Sequence, residues 1–358
     1  MTAPADIQQE LSRVWNTLEG AHKMRASLFN LIIYTQKTSR DSYLHTVAHK
    51  VIEQFPCRIL FISVEHEATE EYLRAKISLM YAGKEPSAIA CDLIELEVGG
   101  AQLKRIPFII LPHLLPDLPI YLVWEEDPSL DNPIFEQMSL YASRLIFDSE
   151  STYHLPAFSL KLLDIYKEIK IDIADLNWAR MENWRHLLTA HFYSSESLEK
   201  LQKVNEMTIF YNSHETASFC HTRIQAIYLQ AWLSCQLEWQ WIKTIKKNKD
   251  WVFVYQNKKD QILITLSPED YPHLAPGIIT AVTFSTKEDH QYSFTRHKEA
   301  PNHIVVKIGT PQKCELPTLH IFAKGDSGQS LVKEICHKGM SSHYLKVLDF
   351  VSKMENPC

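Results

Sequence analysis

Residues 28–64 read LFNLIIYTQKTSRDSYLHTVAHKVIEQFPCRILFISV, and the hydrophobic period changes twice along them. LFNLIIY (28–34) is a short apolar run with the composition of a buried strand. DSYLHTVAHKVIEQ (41–54) then sets Leu44, Val47, Ala48 and Val51 at helical spacing. RILFISV (58–64) is β-rich again and apolar on both faces. Strand, helix and strand in this order predict an α/β domain with a mixed, mainly parallel sheet and helices on both faces.

The flanking sequence extends the pattern. Ile7, Leu11, Val14, Trp15 and Leu18 predict an amphipathic helix over 6–23. TEEYLRAKISLMYA (69–82) reads as a helix, and IACDLIELEV (89–98) as an edge or antiparallel strand. IPFIIL (106–111), LPIYLVW (118–124) and RLIFDS (144–149) read as strands, with helices over 131–143 and 156–170. After about residue 172 the pattern shifts: a helix at 178–193, TIFYN (208–212), then a long helix at 216–242. Short segments follow near 251–256, 261–266, 277–284, 290–296, 303–308 and 317–323, spaced as an antiparallel sheet, and helices at 329–338 and 342–354 close the chain. The expected organisation is an α/β domain over 1–172 followed by an α+β domain over 173–358 with a long helix and an antiparallel sheet.

A chain of 358 residues with 45% apolar and 22% charged residues suits two globular domains. A net charge of −6 argues against nucleic-acid or membrane-surface partners, which need clustered excess Lys and Arg. Seven cysteines at irregular gaps, without a CxxC, read as reduced thiols, and the N-terminus lacks a secretory layout, so a cytoplasmic location is expected. The most apolar stretch, 106–124, contains His113, Asp117 and several prolines, which make a lipid-embedded helix costly.

The chemistry-bearing motifs are few. No GxGxxG occurs, and Gly83-Lys84 lacks the preceding glycine of a phosphate loop. GDSG (325–328) precedes a helix and reads as a turn and N-cap. His45 and His49 stand four apart on a helix without a third ligand in reach, so no metal site is expected. LPHLLPDLPIYLVWEEDP (111–128) is read as two Pro-braced strands, its exit carrying Trp124, Glu125, Glu126 and Asp127 where open α/β sheets meet ligands or partners. From the residues alone, a rigid core connection with a solvated acidic exit is the favoured reading. DLNWARMENWRHLL (175–188) places Trp178 and Arg185 on one helix face and Arg180, Trp184, Leu187 and His191 on another. Trp and Arg are the residue types richest in interface hot spots, although tryptophans of this kind are more often packed inside. Trp232, Trp239 and Trp241 in the run 230–242 carry the same ambiguity. No nucleophile–base pair is visible, so no catalytic residue is assigned.

FPCRILFI (55–62), IACDLIELEVGG (89–100), LPHLLPDLPIYLVWEEDP (111–128), RLIFDS (144–149), DLNWARMENWRHLL (175–188) and AIYLQAWLSCQLEW (226–239) occur in that order. Together they resemble the OpcA family of bacterial glucose-6-phosphate dehydrogenase assembly proteins. The chain departs from the family pattern at Phe55-Pro56-Cys57-Arg58, usually His-Pro-x-Arg, and at Cys91-Asp92-Leu93, often Cys-Glu-Gln. The resemblance implies a non-catalytic assembly factor and allosteric activator of glucose-6-phosphate dehydrogenase, supporting NADPH production by the oxidative pentose phosphate pathway, with no cofactor of its own. It also implies thioredoxin as a candidate second partner, through cysteines that the sequence does not single out. The partner surface is then expected at Trp124, Glu125, Glu126, Asp127, Trp178, Arg180, Trp184 and Arg185. The rival expectation is a sugar-phosphate- or nucleotide-binding protein or enzyme using a cleft between the domains, with Arg58, Arg180 and Arg185 holding the anion.

Overall fold

The computed structural model describes residues 7–17, 24–38, 40–82, 89–257, 260–310, 315–323, 328–337 and 339–356. Gly83-Lys84, the first three residues of the GDSG stretch, Cys314 and Cys358 lie outside them.

The first elements in chain order are α1 (Ile7–Asn16), β1 (Met24–Arg25), β2 (Asn30–Gln36), α2 (Asp41–Gln54), β3 (Arg58–Glu65), β4 (Tyr72–Ala82), β5 (Ile89–Gly99), α3 (Ile106–Ile110), β6 (Ile120–Trp124), α4 (Pro133–Ser139), β7 (Arg144–Phe147), α5 (Leu155–Ile169) and β8 (Asp172–Asp175). Then come α6 (Leu176–Arg180), α7 (Glu182–His191), α8 (Ser195–Gln202), β9 (Val204–Asn212), α9 (Ile224–Gln236), β10 (Gln240–Lys247), β11 (Asp250–Asn257), β12 (Asp260–Glu269), β13 (Ile279–Thr286), β14 (Gln291–Arg296), β15 (His303–Gly309), β16 (Thr318–Ile321), α10 (Gln329–Cys336) and α11 (Ser342–Val351). The chain divides into two compact units.

One unit comprises Met1–Ser151, Asp164–Ala179 and Asp326–Met340. Its sheet has the order β1-β5-β3-β2-β6-β7-β8, with β4 alongside β5. Every pairing is parallel except β4–β5. From β2 the chain steps outward to β3 and β5, then returns to β6, β7 and β8 on the other side, which makes a topological switch point between β2 and β6. On one face Leu31, Ile33, Ile59, Phe61, Val123 and Ile146 pack with Leu44, Val47 and Val51 of α2 and with Leu331 and Ile335 of α10. Burial of both faces explains why β2 and β3 read as continuous apolar runs.

Two assignments are corrected here. Within the stretch 69–82, Tyr72–Ala82 form the strand β4, not a helix. Its alternation places Leu73, Ala75, Ile77 and Leu79 on one side and Arg74, Lys76 and Ser78 on the other, with Lys76 bonded to Glu95 of β5 at 2.7 Å. Residues 106–110 form the short helix α3, not a strand, because Pro107 occupies the first turn, where its missing N–H costs nothing. The strand β8 was also not expected; it supplies the sheet's far edge.

The other unit comprises Thr152–Leu163, Arg180–Gly325 and Ser341–Cys358. Its sheet has the order β10-β11-β12-β9-β13-β14-β15-β16 and is antiparallel apart from the β9–β12 pairing. The helix at 178–193 is broken at Met181, so Trp178 and Arg185 do not share one continuous face. The helix at 216–242 contracts to α9, and Gln240–Lys247 becomes the strand β10. Ile224 to Ser234 of α9 are buried without a break, which leaves no amphipathic stripe to mark its end. The helix α8 was not expected; Ser194 caps it by accepting from Ser197 N at 3.1 Å.

Candidate functional site

The C-terminal ends of β2, β6, β7 and β8 converge at the switch point, where open α/β sheets bind ligands. The turn leaving β2 reads Lys37-Thr38-Ser39-Arg40 and contains no glycine. Arg40 precedes α2 and sends its guanidinium across the crevice, to Asp148 Oδ2 beyond β7 at 2.9 Å and to Glu125 Oε2 beyond β6 at 3.2 Å. Both carboxylate side chains are fully buried. Two buried carboxylates need such a partner, because an uncompensated charge there would cost several kcal/mol.

The network continues along the sheet edge. Asp175, the last residue of β8, accepts from Asn177 N at 2.8 Å and from Ser149 Oγ at 3.1 Å. Asn177 Nδ2 donates to Asp148 Oδ1 at 3.1 Å and to Ser149 Oγ at 3.0 Å. Towards the surface, Glu126 meets His66 Nε2 at 2.6 Å and accepts from Asn132 Nδ2 at 2.9 Å. Asn132 also caps α4 by accepting from Ile134 N at 3.0 Å. Beneath them Trp124 stacks on Tyr34, with ring centroids 3.9 Å apart and planes 8° from parallel. Burial, reinforced by Glu126, pushes the Tyr34 hydroxyl well above the ordinary tyrosine range.

This arrangement does not fit a dinucleotide. A pyrophosphate in the crevice would meet the buried Glu125 and Asp148 carboxylates, and the turn lacks the glycines that let a backbone approach phosphate. Glu65 ends the second parallel strand and accepts from Tyr72 Oη at 2.5 Å. That bond engages the acid at the position where such folds bind a ribose.

The eight residues expected at a partner surface are placed as follows. Trp124, Glu125, Asp127, Trp178 and Trp184 are buried, and Glu126, Arg180 and Arg185 are half-buried. The structure brings Trp124, Glu125, Glu126 and Asp127 to one strand exit. There Asp127 closes a local turn by accepting from Ser129 N at 2.9 Å. Trp178 belongs to the first unit, whereas Arg180, Trp184 and Arg185 belong to the second. Trp184 packs edge-on against Phe322 at 5.3 Å, and Arg180 lies over the Phe219 ring at 5.7 Å. Trp232 and Trp239 are buried, and Trp241 is half-buried with its Nε1 donating to Thr244 at 3.1 Å. His45 stacks on Phe61 at 4.0 Å, and His49 is exposed.

Arg58 is committed elsewhere. Its Nε and NH2 donate to Asp92 Oδ2 at 2.8 and 2.6 Å, and its NH1 donates to the His113 carbonyl at 2.6 Å. Trp15 Nε1 and Arg25 NH2 complete the shell around Asp92 at 2.6 and 2.9 Å. The two segments that hold departures from the resembled pattern, Phe55–Arg58 and Cys91–Leu93, therefore meet through one buried ion pair, in which Arg58 keeps the pattern and Asp92 departs from it. Sequence reasoning missed Arg40, Asp148, Asp175 and Asn177. The one available signal was polar residues placed directly after apolar strand runs.

Comparison with known proteins gives the lineage. Residues 48–163 match the family described as the glucose-6-phosphate dehydrogenase subunit N-terminal domain, and residues 171–344 match its C-terminal domain. A Nostoc punctiforme protein that carries the name OpcA, with the OxPP cycle in its name, is 27% identical over 208 residues, which is 57% of this chain and 43% of that protein. A Synechococcus elongatus protein of the same name is 28% identical over 206 residues, 57% of this chain and 44% of that one. The matched region thus spans less than half of these relatives. Among solved structures, the 3-ketoreductase KijD10 from Actinomadura kijaniata superposes with a TM-score of 0.51 at 7% identity, over 91% of this chain and 96% of that one. At that identity the likeness is one of fold alone. Matches to both domain descriptions, across most of the described sequence, establish that this chain belongs to the OpcA glucose-6-phosphate dehydrogenase assembly family.

Proposed function

We propose that the chain acts without chemistry of its own, as an assembly partner and allosteric activator of glucose-6-phosphate dehydrogenase that supports NADPH formation in the cytoplasm. The observation that carries this reading is the strand exit. The position where related folds hold a nucleotide is occupied here by the chain's own Arg40–Glu125–Asp148 cluster. Family membership supplies the partner. Of the eight residues expected to face it, we retain Glu126, Arg180 and Arg185 as contact residues, since they are half-buried. Trp124, Glu125, Asp127, Trp178 and Trp184 are buried and are not proposed as contact residues. Burial pushes the Cys57 thiol well above its usual range and the Cys91 and Cys235 thiols up to about 11. That disfavours at these three positions the thiolate that exchange with thioredoxin requires, so among the described residues such exchange would fall to the exposed Cys220 or Cys336.

The test is titration of the purified chain into the dehydrogenase of the same organism, following NADPH formation and complex size together. Co-elution with a lowered glucose 6-phosphate requirement is expected. Indifference of the dehydrogenase, or turnover of any metabolite by the chain alone, would overturn the reading.

A further inference from the structure

The two edges of the β9–β16 sheet are built differently. At one end β10 carries Lys243, Lys246 and Lys247 within eight residues. Lysines of this kind guard an edge against pairing with another strand. At the other end β16 reads Thr-Leu-His-Ile, with no acidic or lysine/arginine side chain, and all four residues are exposed. Leu319 is 57% and Ile321 70% exposed, and Leu316 just before the strand is 89% exposed. Pro317 and the shortness of the strand limit this edge on one side, but single exposed apolar residues are ordinary, whereas three on one edge without lysine mark an interaction site.

The ladder gives this edge its donors and acceptors. Phe322 N donates to Asn302 O at 2.7 Å, and Leu319 and Ile321 stand opposite Val305 and His303 of β15. The antiparallel alternation then turns the N–H and C=O groups of Leu319 and Ile321 outward, away from β15. Among the described residues no strand lies beyond β16. The cross-strand register also sets Phe210, Ala281, Thr295, Val305 and Leu319 in one row across a single face of the sheet, so that a largely apolar stripe runs out to the open edge.

We propose that β16 is the seam through which two copies of this chain pair, antiparallel about a two-fold axis, so that their sheets become continuous. The strand is complementary to itself. In an antiparallel pair whose register sets odd residues opposite odd, Leu319 and Ile321 of both copies fall on the same face, where they cover one another. The outward N–H and C=O groups of one copy find those of the other, and no like charge on the strand opposes the approach. Pairing β16 with β10 of another copy would instead be head-to-tail and would propagate without closure, which the β10 lysines resist. The two-fold arrangement closes at a dimer. Its small area sets it among weak interfaces, with a Kd on the order of micromolar. The proposal is independent of the assembly role and needs no dehydrogenase.

Sedimentation of the full chain over a range of concentrations tests it, combined with amide hydrogen exchange at Leu319 and Ile321. A monomer–dimer equilibrium is expected, with both amides protected only where dimer predominates. Ile321→Lys and, separately, Leu319→Lys should each weaken the dimer at least tenfold and restore exchange, because an exposed strand tolerates lysine without loss of fold. Lys246→Ala on the guarded edge should leave the equilibrium unchanged. A monomer at every concentration, or a dimer untouched by both lysine variants, would overturn the proposal. So would protection of these amides that arises only when a different protein, such as the dehydrogenase, is added.

Discussion

Arg58 and Asp92 show how a single pair of residues can look like a site and be a brace. Both are buried, and the carboxylate collects donors from Trp15, Arg25 and Arg58. Arg58→Ala removes one partner and leaves a buried charge with too few donors, so we expect a loss of about 3–5 kcal/mol in denaturant unfolding. The double variant Arg58→Met with Asp92→Leu removes both charges and should recover most of that loss. If the double variant is as unstable as the single one, the pair is not the source of the effect. His191 supplies a second prediction at this scale. Burial, aided by the nearby His320, lowers its pKa below the usual histidine value. Since the folded value lies below the unfolded one, the associated stability is present above the unfolded value of about 6.5. It is lost as pH falls from there through the lowered folded value. His191→Gln should therefore flatten the fall in unfolding free energy as pH drops below about 6.5. Neither arrangement was legible in the sequence: Arg58 and Asp92 stand far apart along the chain, and only the β3–β5 pairing brings their strands side by side.

At the level of elements, the sequence was read well where one period ruled and poorly where two rules competed. The helix α2 was located without error because its apolar positions follow one spacing and its bounds are polar. The strand β4 was misread because Leu, Ala, Lys, Met and Arg are good helix formers. The alternation of Leu73, Ala75, Ile77 and Leu79 with Arg74, Lys76 and Ser78 was the stronger signal, since pairing with β5 decides the outcome. The helix α3 was misread through Pro107, which forbids a helix interior and suits a first turn equally well. Asn212, at the end of β9, illustrates what no periodicity can show. Its Nδ2 donates to the carbonyls of Tyr271, Leu274 and Ala275 at 3.0, 3.0 and 3.1 Å, and its Oδ1 accepts from Tyr271 N at 2.9 Å and His214 N at 3.2 Å. One buried side chain thus holds the loop between β12 and β13. Asn212→Ala strands these backbone groups and should cost about 2–4 kcal/mol. Faster hydrogen exchange over residues 270–277 should accompany it, while the β2–β3 amides keep their protection. Uniform loosening of the whole chain would count against a local role.

The presence of two kinds of sheet, a parallel one with helices followed in sequence by a mostly antiparallel one, was visible because strand–helix alternation gives way to evenly spaced strands near residue 172. The crevice chemistry was not visible, since Arg40, Glu125 and Asp148 come from three strand exits that only the switch point unites. On the proposed reading, the chain can raise its partner's activity only by binding the active form of the dehydrogenase more tightly than the inactive form. A coupling of about 1–3 kcal/mol corresponds to roughly 5- to 150-fold in substrate affinity. Thermodynamic linkage fixes the return effect: if the chain tightens glucose 6-phosphate binding by some factor, glucose 6-phosphate must tighten the chain's own binding by the same factor. Affinity of the chain for the dehydrogenase, measured by calorimetry with and without saturating glucose 6-phosphate, should change by the ratio found for substrate binding in the presence and absence of the chain. Charge reversal at Arg185 should weaken the complex in both conditions alike and leave that ratio intact, because a contact residue adds affinity without choosing between the two forms. A lowered substrate requirement without matching tightening of the complex would place the chain's effect on a kinetic step, and selection of the active form would fail as its mechanism.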